Sequence, residues 1–295
     1  RVLVRCDFNV PLDKNGNILD DFRIKQTLPT IEYLIKREVK ILLMSHLDRP
    51  GGKVVESLRL TSIQNRLMEY LDLSITKAPK SVGKEIEEWS RKMQSGEVLL
   101  LENLKFHKEE EENDENFTKE LAELGDIFIN DAFGSCHQIY ASIVGLPKYL
   151  PSGTGFLIEK EVKILSDLLK RSQKPLVAII GGKKVESKSK VIDKISEKAD
   201  WILINSLIRN EIKEKNIKLK YPQKIIEPID EIEGKDIGPQ TIDIFKEKIN
   251  LAKTIFWSGP LGMIEKEKFS KGTKETAKAV IKSSAFSVVG GGDTV

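Results

Sequence analysis

Cysteine is almost missing from this chain: there are two in 295 residues, Cys6 and Cys136. Two distant cysteines make no disulfide framework, and neither stands in a Cys/His spacing that zinc requires. No run of 18 apolar residues occurs, so no membrane-spanning helix is expected, and no signal-peptide pattern is present. These absences predict a protein of the reducing cytosol. An excess of one charge sign is lacking too, since 48 Lys and Arg stand against 45 Asp and Glu. That argues against a nucleic-acid binder dominated by phosphate contacts, which carries a clear basic excess. No G-x-x-x-x-G-K-[ST] loop occurs anywhere. No G-x-G-x-x-G follows the first strand, and Gly153-Thr154-Gly155 fails at the third position. A Rossmann dinucleotide dehydrogenase is therefore disfavoured.

What is present is length and alternation. A chain of 295 residues, at roughly 150 per domain, suggests two domains, and 40% hydrophobic content supplies their cores. Eight apolar runs read as strands: Val2–Asn9, Val39–His46, Glu97–Leu104, Asp126–Phe133, Pro175–Gly182, Asp200–Leu207, Lys253–Gly259 and Ala285–Gly291. Most are nearly continuous, as strands covered on both faces are. Helical spacing lies between them, over Arg23–Arg37, Leu60–Leu73, Asn113–Leu124, Glu159–Lys170, Lys188–Ala199, Ile242–Ile249 and Gly272–Ile281. Strands alternating with helices predict an α/β fold of parallel sheets, four strands on each side of the Glu159–Lys170 helix. The chain starts inside a strand without an initiator Met and ends on a glycine-rich turn, so both ends read as clipped.

In open parallel sheets, ligands bind at the carboxyl ends of the strands. The first four runs lead into Asp7 and Asn9, then His46 and Arg49, then Asn103, Lys105 and His107, then Asp131 and His137. The last four lead into Gly181–Lys184, Asn205–Ser206, Gly259–Gly262 and Gly290–Thr294. Cations and donors gather in the first half and suit a small polyanion. Glycines gather in the second half and suit close backbone approach to phosphates. Lys184 and Lys188, four apart, point the same way on a helix and can hold a transferring phosphoryl group; equally, they are a solvated helix start. Gly290-Gly291-Gly292-Asp293-Thr294 admits a phosphate against the backbone, with Asp293 as a Mg²⁺ ligand; the plainer alternative is a tight turn with an N-cap. Glu109–Glu112 reads as a solvated helix entrance, and Trp89, Trp201 and Trp257 read as packing residues.

Taken in order, the motifs resemble one family. They are Asp7-Phe8-Asn9-Val10-Pro11-Leu12, Ser45-His46-Leu47 with Arg49-Pro50, Leu101-Glu102-Asn103-Leu104 with Phe106-His107, and Asp131-Ala132-Phe133-Gly134. Gly181-Gly182 with Lys184-Val185, Asp236-Ile237-Gly238-Pro239, Gly259-Pro260 with Gly262 and Glu265, and Gly290–Thr294 complete the set. Along its whole length the chain resembles phosphoglycerate kinase. The resemblance implies two doubly wound, Rossmann-like parallel-sheet domains joined by a helix and hinge. Residues 1–155 would bind 3-phosphoglycerate, 156–172 would be the interdomain helix, and 173–295 would bind nucleotide. It implies Asp7, Asn9, Arg23, His46, Arg49, Lys105 and His137 at the glycerate. It implies Lys188, Gly234, Glu265, Gly291, Gly292, Asp293 and Thr294 at ADP or ATP, with Mg²⁺ on Asp293. Arg23 and Lys184 would be the catalytic cations on the transferred group, brought together by hinge closure. A cytosolic monomer with small-molecule substrates and no nucleic-acid or membrane partner is expected.

Several positions depart from that family. Asp48 stands for a glycine, Lys105 and Gln138 for arginines, Ser258 for an asparagine and Lys183 for a small residue. Asn205-Ser206 replaces a glycine-rich turn, and the segment after it is short. A second reading therefore stands beside the enzyme: a non-catalytic relic that binds nucleotide or a protein partner.

Overall fold

A computed structural model of the chain describes residues 1–182, 185–291 and 294. Two compact units divide it, Arg1–Lys163 and Ile164–Val295. The first runs β1 (Val2–Arg5), α1 (Phe22–Ile35), β2 (Ile41–Met44), α2 (Thr61–Leu71), β3 (Ile75–Lys77), α3 (Lys84–Lys92), β4 (Val98–Leu100), α4 (Lys108–Glu112), α5 (Glu115–Glu123), β5 (Ile127–Asn130) and β6 (Ser152–Thr154). Helix α6 (Phe156–Arg171) contains the division. Then follow β7 (Leu176–Ile180), α7 (Val185–Ser196), β8 (Trp201–Ile204), α8 (Ser206–Glu214), β9 (Ile225–Ile226), the hairpin β10 (Glu231–Ile232) and β11 (Asp236–Ile237), α9 (Pro239–Leu251), β12 (Thr254–Ser258), α10 (Lys271–Lys282) and β13 (Phe286–Gly290).

Both large sheets are wholly parallel. The first is ordered β3-β4-β2-β1-β5-β6 and the second β13-β12-β7-β8-β9. Each is doubly wound. The chain leaves β1 toward β2 and later returns to its other side at β5, and it does the same around β7 with β8 and then β12. The continuous apolar runs follow from burial on both faces. Val2, Val4, Ile41 and Leu43 pack on Ile24 and Ile31 of α1 and on Ile63 and Leu67 of α2. The alternate residues Leu3, Leu42 and Met44 pack on Ile86, Phe117 and Leu121. In the second sheet Val177, Ile179 and Ile255 meet Ile242, Phe245 and Ile249 of α9, while Ala178, Ile180 and Ile202 meet Ile192 and Ile195 of α7. Helix α1 buries Ile24, Thr27, Thr30 and Ile31, one face at helical spacing.

Several expectations are corrected. The symmetric four-and-four strand count misses β3, β6, β9 and the hairpin, which are two or three residues long. β6 reads Ser-Gly-Thr and is exposed, so it carries no apolar signal. Helices α3 and α8 were also missed; α3 has only Ile86 and Trp89 as apolar residues. The strand before the terminal glycines is a sheet edge rather than buried, with Phe286 61% exposed. Glu110, inside the run taken as solvated, is fully buried. No helix among the described residues is long and apolar enough to cross a membrane.

Candidate active site

The C-terminal ends of β1, β2, β4 and β5 carry the first cluster. Asp7, just past β1, is buried and takes the Arg23 guanidinium of α1, with Nη1 at 3.0 and 3.2 Å from its two oxygens. Gly134 lies against that carboxylate; a Cβ there would sit 2.5 Å from Oδ2, so a larger residue would have to displace the Asp7 carboxylate from its place beside Arg23. Asn9 accepts the Asp48 backbone N–H at 2.7 Å and so fixes the loop after β2. Asp48 has φ 55°, the left-handed region that glycine enters freely and aspartate tolerates. His46 is buried, with Nδ1 3.1 Å from Arg5 Nη2. Burial, and then the positive charges of Arg5, Lys105 and Arg23, push its pKa down to about 2. His46 is thus the neutral centre of a cationic group.

Lys105 is buried and already partnered. Its Nζ lies 2.9 Å from Glu111 Oε1 and 5.0 Å from the centre of the Tyr140 ring, and the Tyr140 hydroxyl donates to the same Glu111 oxygen at 3.2 Å. Burial draws the ammonium pKa down, but hydrogen bonds to Glu111 and Tyr140 outweigh it and leave the pKa raised. The Lys105 hydrogen bond, with a smaller contribution from Arg49, holds Glu111 low. Arg49 is exposed on the loop beyond His46. His137 is exposed on the turn after β5, against Gln138 at 2.5 Å. The structure therefore gathers Asp7, Arg23, His46 and Lys105, with Arg49 reaching their edge, and leaves His137 facing its own neighbour. His107 packs on Phe117, with ring centres 5.0 Å apart.

Residues whose supporting role the sequence does not show hold this cluster. Asn103 is fully buried. Its Oδ1 accepts from Leu47 N and Lys105 N, and its Nδ2 donates to Leu47 O and Leu58 O, over 2.9–3.2 Å. Glu102 beside it binds Lys77, Arg59 and the N–H groups of Leu60 and Asn103. Arg5 and Glu110 are buried below His46. Arg5 had a signal, a lone charge inside an apolar strand; Glu110 had none within its run of glutamates.

The second cluster lies where β7 and β12 end, at the winding reversal of the other sheet, the place such folds use for ligands. Gly181 N–H donates to Ser258 O and Gly182 N–H to Pro260 O, each at 2.9 Å. Gly182, Gly259 and Gly291 have φ near 100°, between 93° and 100°. Lys188 donates to Ser258 Oγ at 3.0 Å, and burial lowers its pKa. Thr294 Oγ1 accepts from Gly259 N at 2.9 Å, and Gly291 adjoins both. Lys188, Gly291 and Thr294 thus meet around Ser258 and Gly259. Gly234 turns the β10–β11 hairpin at φ 65°, and Lys235 O there accepts Met263 N–H at 3.0 Å. Glu265 follows on that loop, exposed. Lys184, Gly292 and Asp293 lie outside the described residues.

Comparison with known proteins gives a consistent result. The family profile described as phosphoglycerate kinase matches residues 1–228 and again 207–295. The phosphoglycerate kinase of Aquifex aeolicus is 42% identical over 341 aligned residues, covering all of this chain and 85% of that protein. That of Borreliella afzelii is 42% identical over 340 residues, again over the whole chain and 86% of the relative. The alignments are longer than the 295 residues of this chain. The two profile matches overlap at 207–228, where α8 leads to β9. Among solved structures, phosphoglycerate kinase from Pyrococcus horikoshii superposes with a TM-score of 0.86 at 30% identity, over 99% of this chain and 86% of that one. The Coxiella burnetii enzyme gives 0.76 at 32%, over 100% and 86%. The chain belongs to the phosphoglycerate kinase family and is a phosphotransferase.

Proposed function

We propose that this chain transfers a phosphoryl group reversibly between 1,3-bisphosphoglycerate and ADP, giving 3-phosphoglycerate and ATP in glycolysis. One observation supports this most directly: Arg23, Lys105 and Arg5 converge on the buried, neutral His46 at the carboxyl ends of the first sheet. Such a group suits a small acid carrying a phosphate and a carboxylate. Asp7, Asn9, Arg23, His46, Arg49, Lys105 and His137 form the glycerate site in this reading. Lys188, Gly234, Glu265 and Gly291–Thr294 form the nucleotide site. Residues 1–155 are the substrate domain, 156–172 the connecting helix and 173–295 the nucleotide domain.

Phosphoryl transfer asks for alignment and positive charge around the moving oxygens, with little covalent work by the protein. Arg23 and Lys184 supply that charge in this proposal. Mg²⁺ with ADP or ATP fits the donor chemistry, because one carboxylate plus phosphate oxygens is a usual Mg²⁺ set. Asp293 would hold it, and the adjacent Thr294 is anchored on Gly259. When bound, the ion would neutralise phosphate charge. A monomer in the cytosol completes the proposal.

The test is a coupled assay of ATP formation from 1,3-bisphosphoglycerate by the whole chain, with Arg23→Ala and Lys184→Ala alongside. Turnover in the parent, and a loss of at least about a hundredfold in each variant with circular dichroism unchanged, is expected. Nucleotide binding without turnover would instead establish the non-catalytic relic. Near-parental turnover in the variants would remove the roles given to Arg23 and Lys184.

A further inference from the structure

Several buried charges of the first unit gather around one imidazole. Arg5, the last residue of β1, is fully buried, which is unusual for arginine. It donates Nε–H to Ser142 Oγ at 2.8 Å and Nη1–H to Cys6 O at 2.5 Å. Its Nη2 lies 3.1 Å from His46 Nδ1. Ser142 passes the connection on: its hydroxyl donates to Glu110 Oε1 at 2.5 Å and its backbone N–H to Glu110 Oε2 at 3.0 Å. Glu110 is itself fully buried, with Oε1 3.9 Å from Arg5 Nη2.

A guanidinium has five donors and no acceptor, and it does not lose its proton in proteins. The ring nitrogen facing it must therefore offer a lone pair. Nδ1 is bare, and the one ring proton sits on Nε2. An imidazolium, with protons on both nitrogens, would set donor against donor beside three cations. Arg5, Lys105 and Arg23 all act on this ring, while Asp7 is taken by Arg23 and Glu110 by Ser142 and Arg5.

We propose that Arg5, held in place by Ser142 and Glu110, locks His46 as its Nε2–H tautomer, so that this residue meets the substrate anion only as a neutral hydrogen-bond donor of fixed direction. Glu110 and Ser142 are positioning residues in this scheme and act through Arg5. The buried carboxylate offsets the guanidinium charge, which allows a fixed donor to be kept away from water. The depressed pKa of His46 runs the same way. The consequence for substrate rests on the reading of His46 as a glycerate ligand; the tautomer does not.

The experiment is nitrogen-15 NMR of the whole chain labelled at its three histidines, with His46→Gln to assign the signal. A pyridine-like Nδ1 and a pyrrole-like Nε2, unchanged from pH 8 to pH 5, are expected. A protonated Nδ1, or a ring that titrates in that window, overturns the inference in the parent protein without any variant. Glu110→Gln keeps the shape and removes the charge. It is expected to show mixed tautomers or titration of His46, together with a roughly tenfold rise in KM for 3-phosphoglycerate. A Glu110→Gln variant that folds and keeps the parental ring spectrum would remove Glu110 from the scheme. A locked ring with parental 3-phosphoglycerate affinity in His46→Gln would support the lock while overturning the substrate role of His46.

Discussion

His46 makes the first unit sensitive to acid, and the size of the effect follows from its surroundings. Its pKa is about 2 in the folded chain, against an ordinary value of 6.5 when unfolded. Between those values the unfolded chain binds a proton that the folded chain refuses. A depressed folded pKa means that the stability is complete above about pH 6.5 and is lost as the pH falls toward the folded value. Integrated from pH 7.5 to pH 5.0, the linkage amounts to ~2 kcal/mol, about thirtyfold in the unfolding equilibrium. His46 is only 8% exposed, so solvent screening removes little of this. Other groups titrate in the same interval. Burial holds Glu110 and Asp131 above the ordinary carboxylate range, which works in the opposite direction. The measurement must therefore be differential. Glutamine at position 46 retains an acceptor for Arg5 and has no titration. Urea unfolding at each pH, read by pulsed hydrogen exchange of the peptide covering residues 39–47, isolates the first unit from the second. The parent should lose ~2 kcal/mol more than His46→Gln between the two pH values. Parallel curves for the two proteins would refute the reasoning, because they would mean that the ring is already accessible to protons.

Asn103→Ala removes four hydrogen bonds at once and leaves Leu47 and Lys105 N–H groups buried without their acceptor. A loss of about 3–4 kcal/mol in chemical unfolding of the first unit is expected, together with a raised KM for 3-phosphoglycerate, because the loop bearing His46 is no longer tied to β4. Glu111→Gln should act in the other direction on binding. The carboxylate now occupies the Lys105 ammonium that a substrate anion would seek. Its removal is expected to tighten 3-phosphoglycerate binding roughly threefold at low salt, with a smaller gain at higher salt, by titration calorimetry. Weaker binding would show that Glu111 serves to aim Lys105 rather than to compete for it.

The strands that carry the site were legible because double-sided burial writes itself as continuous apolar runs. Leu176–Ile180 and Ile41–Met44 are buried at every position and could hardly be read otherwise. The strand ends were legible for a related reason: polar residues directly after such runs have few structural tasks there, and Asp7, His46 and the glycines after β7 and β12 all reach the two clusters. What stayed hidden is what depends on distant partners. Among Glu109, Glu110, Glu111 and Glu112, only the fold decides that Glu110 turns inward, because its partner Ser142 comes 32 residues later. Lys105 reads in the sequence only as one of the cations at the strand ends, and the packing of Tyr140 and Glu111 shows its charge already paired. β6 was unreadable because an exposed three-residue strand paired to β5 draws on backbone hydrogen bonds alone.

The two clusters would meet an anion by opposite physical means, and this decides what each can tolerate. In the first, side-chain charges do the work, and each cation is matched by a carboxylate: the buried Arg5 by Glu110, the buried Lys105 by Glu111, and the more exposed Arg23 by Asp7. A field built from pairs can be rebuilt by exchanging members, and with lysine at 105 and glutamine at 138 His46 still lies in a strongly cationic setting. In the second, backbone shape does the work. A Cβ at Gly181 would lie 2.1 Å from the Pro260 carbonyl oxygen, and one at Gly259 would lie 2.3 Å from the carbonyl oxygen of Gly181. Those contacts are backbone on backbone, so no rotamer change relieves them. Drift is therefore affordable in the first cluster and forbidden where the loops after β7 and β12 meet: Ser258 changes a side chain beside Gly259 and leaves that glycine in place.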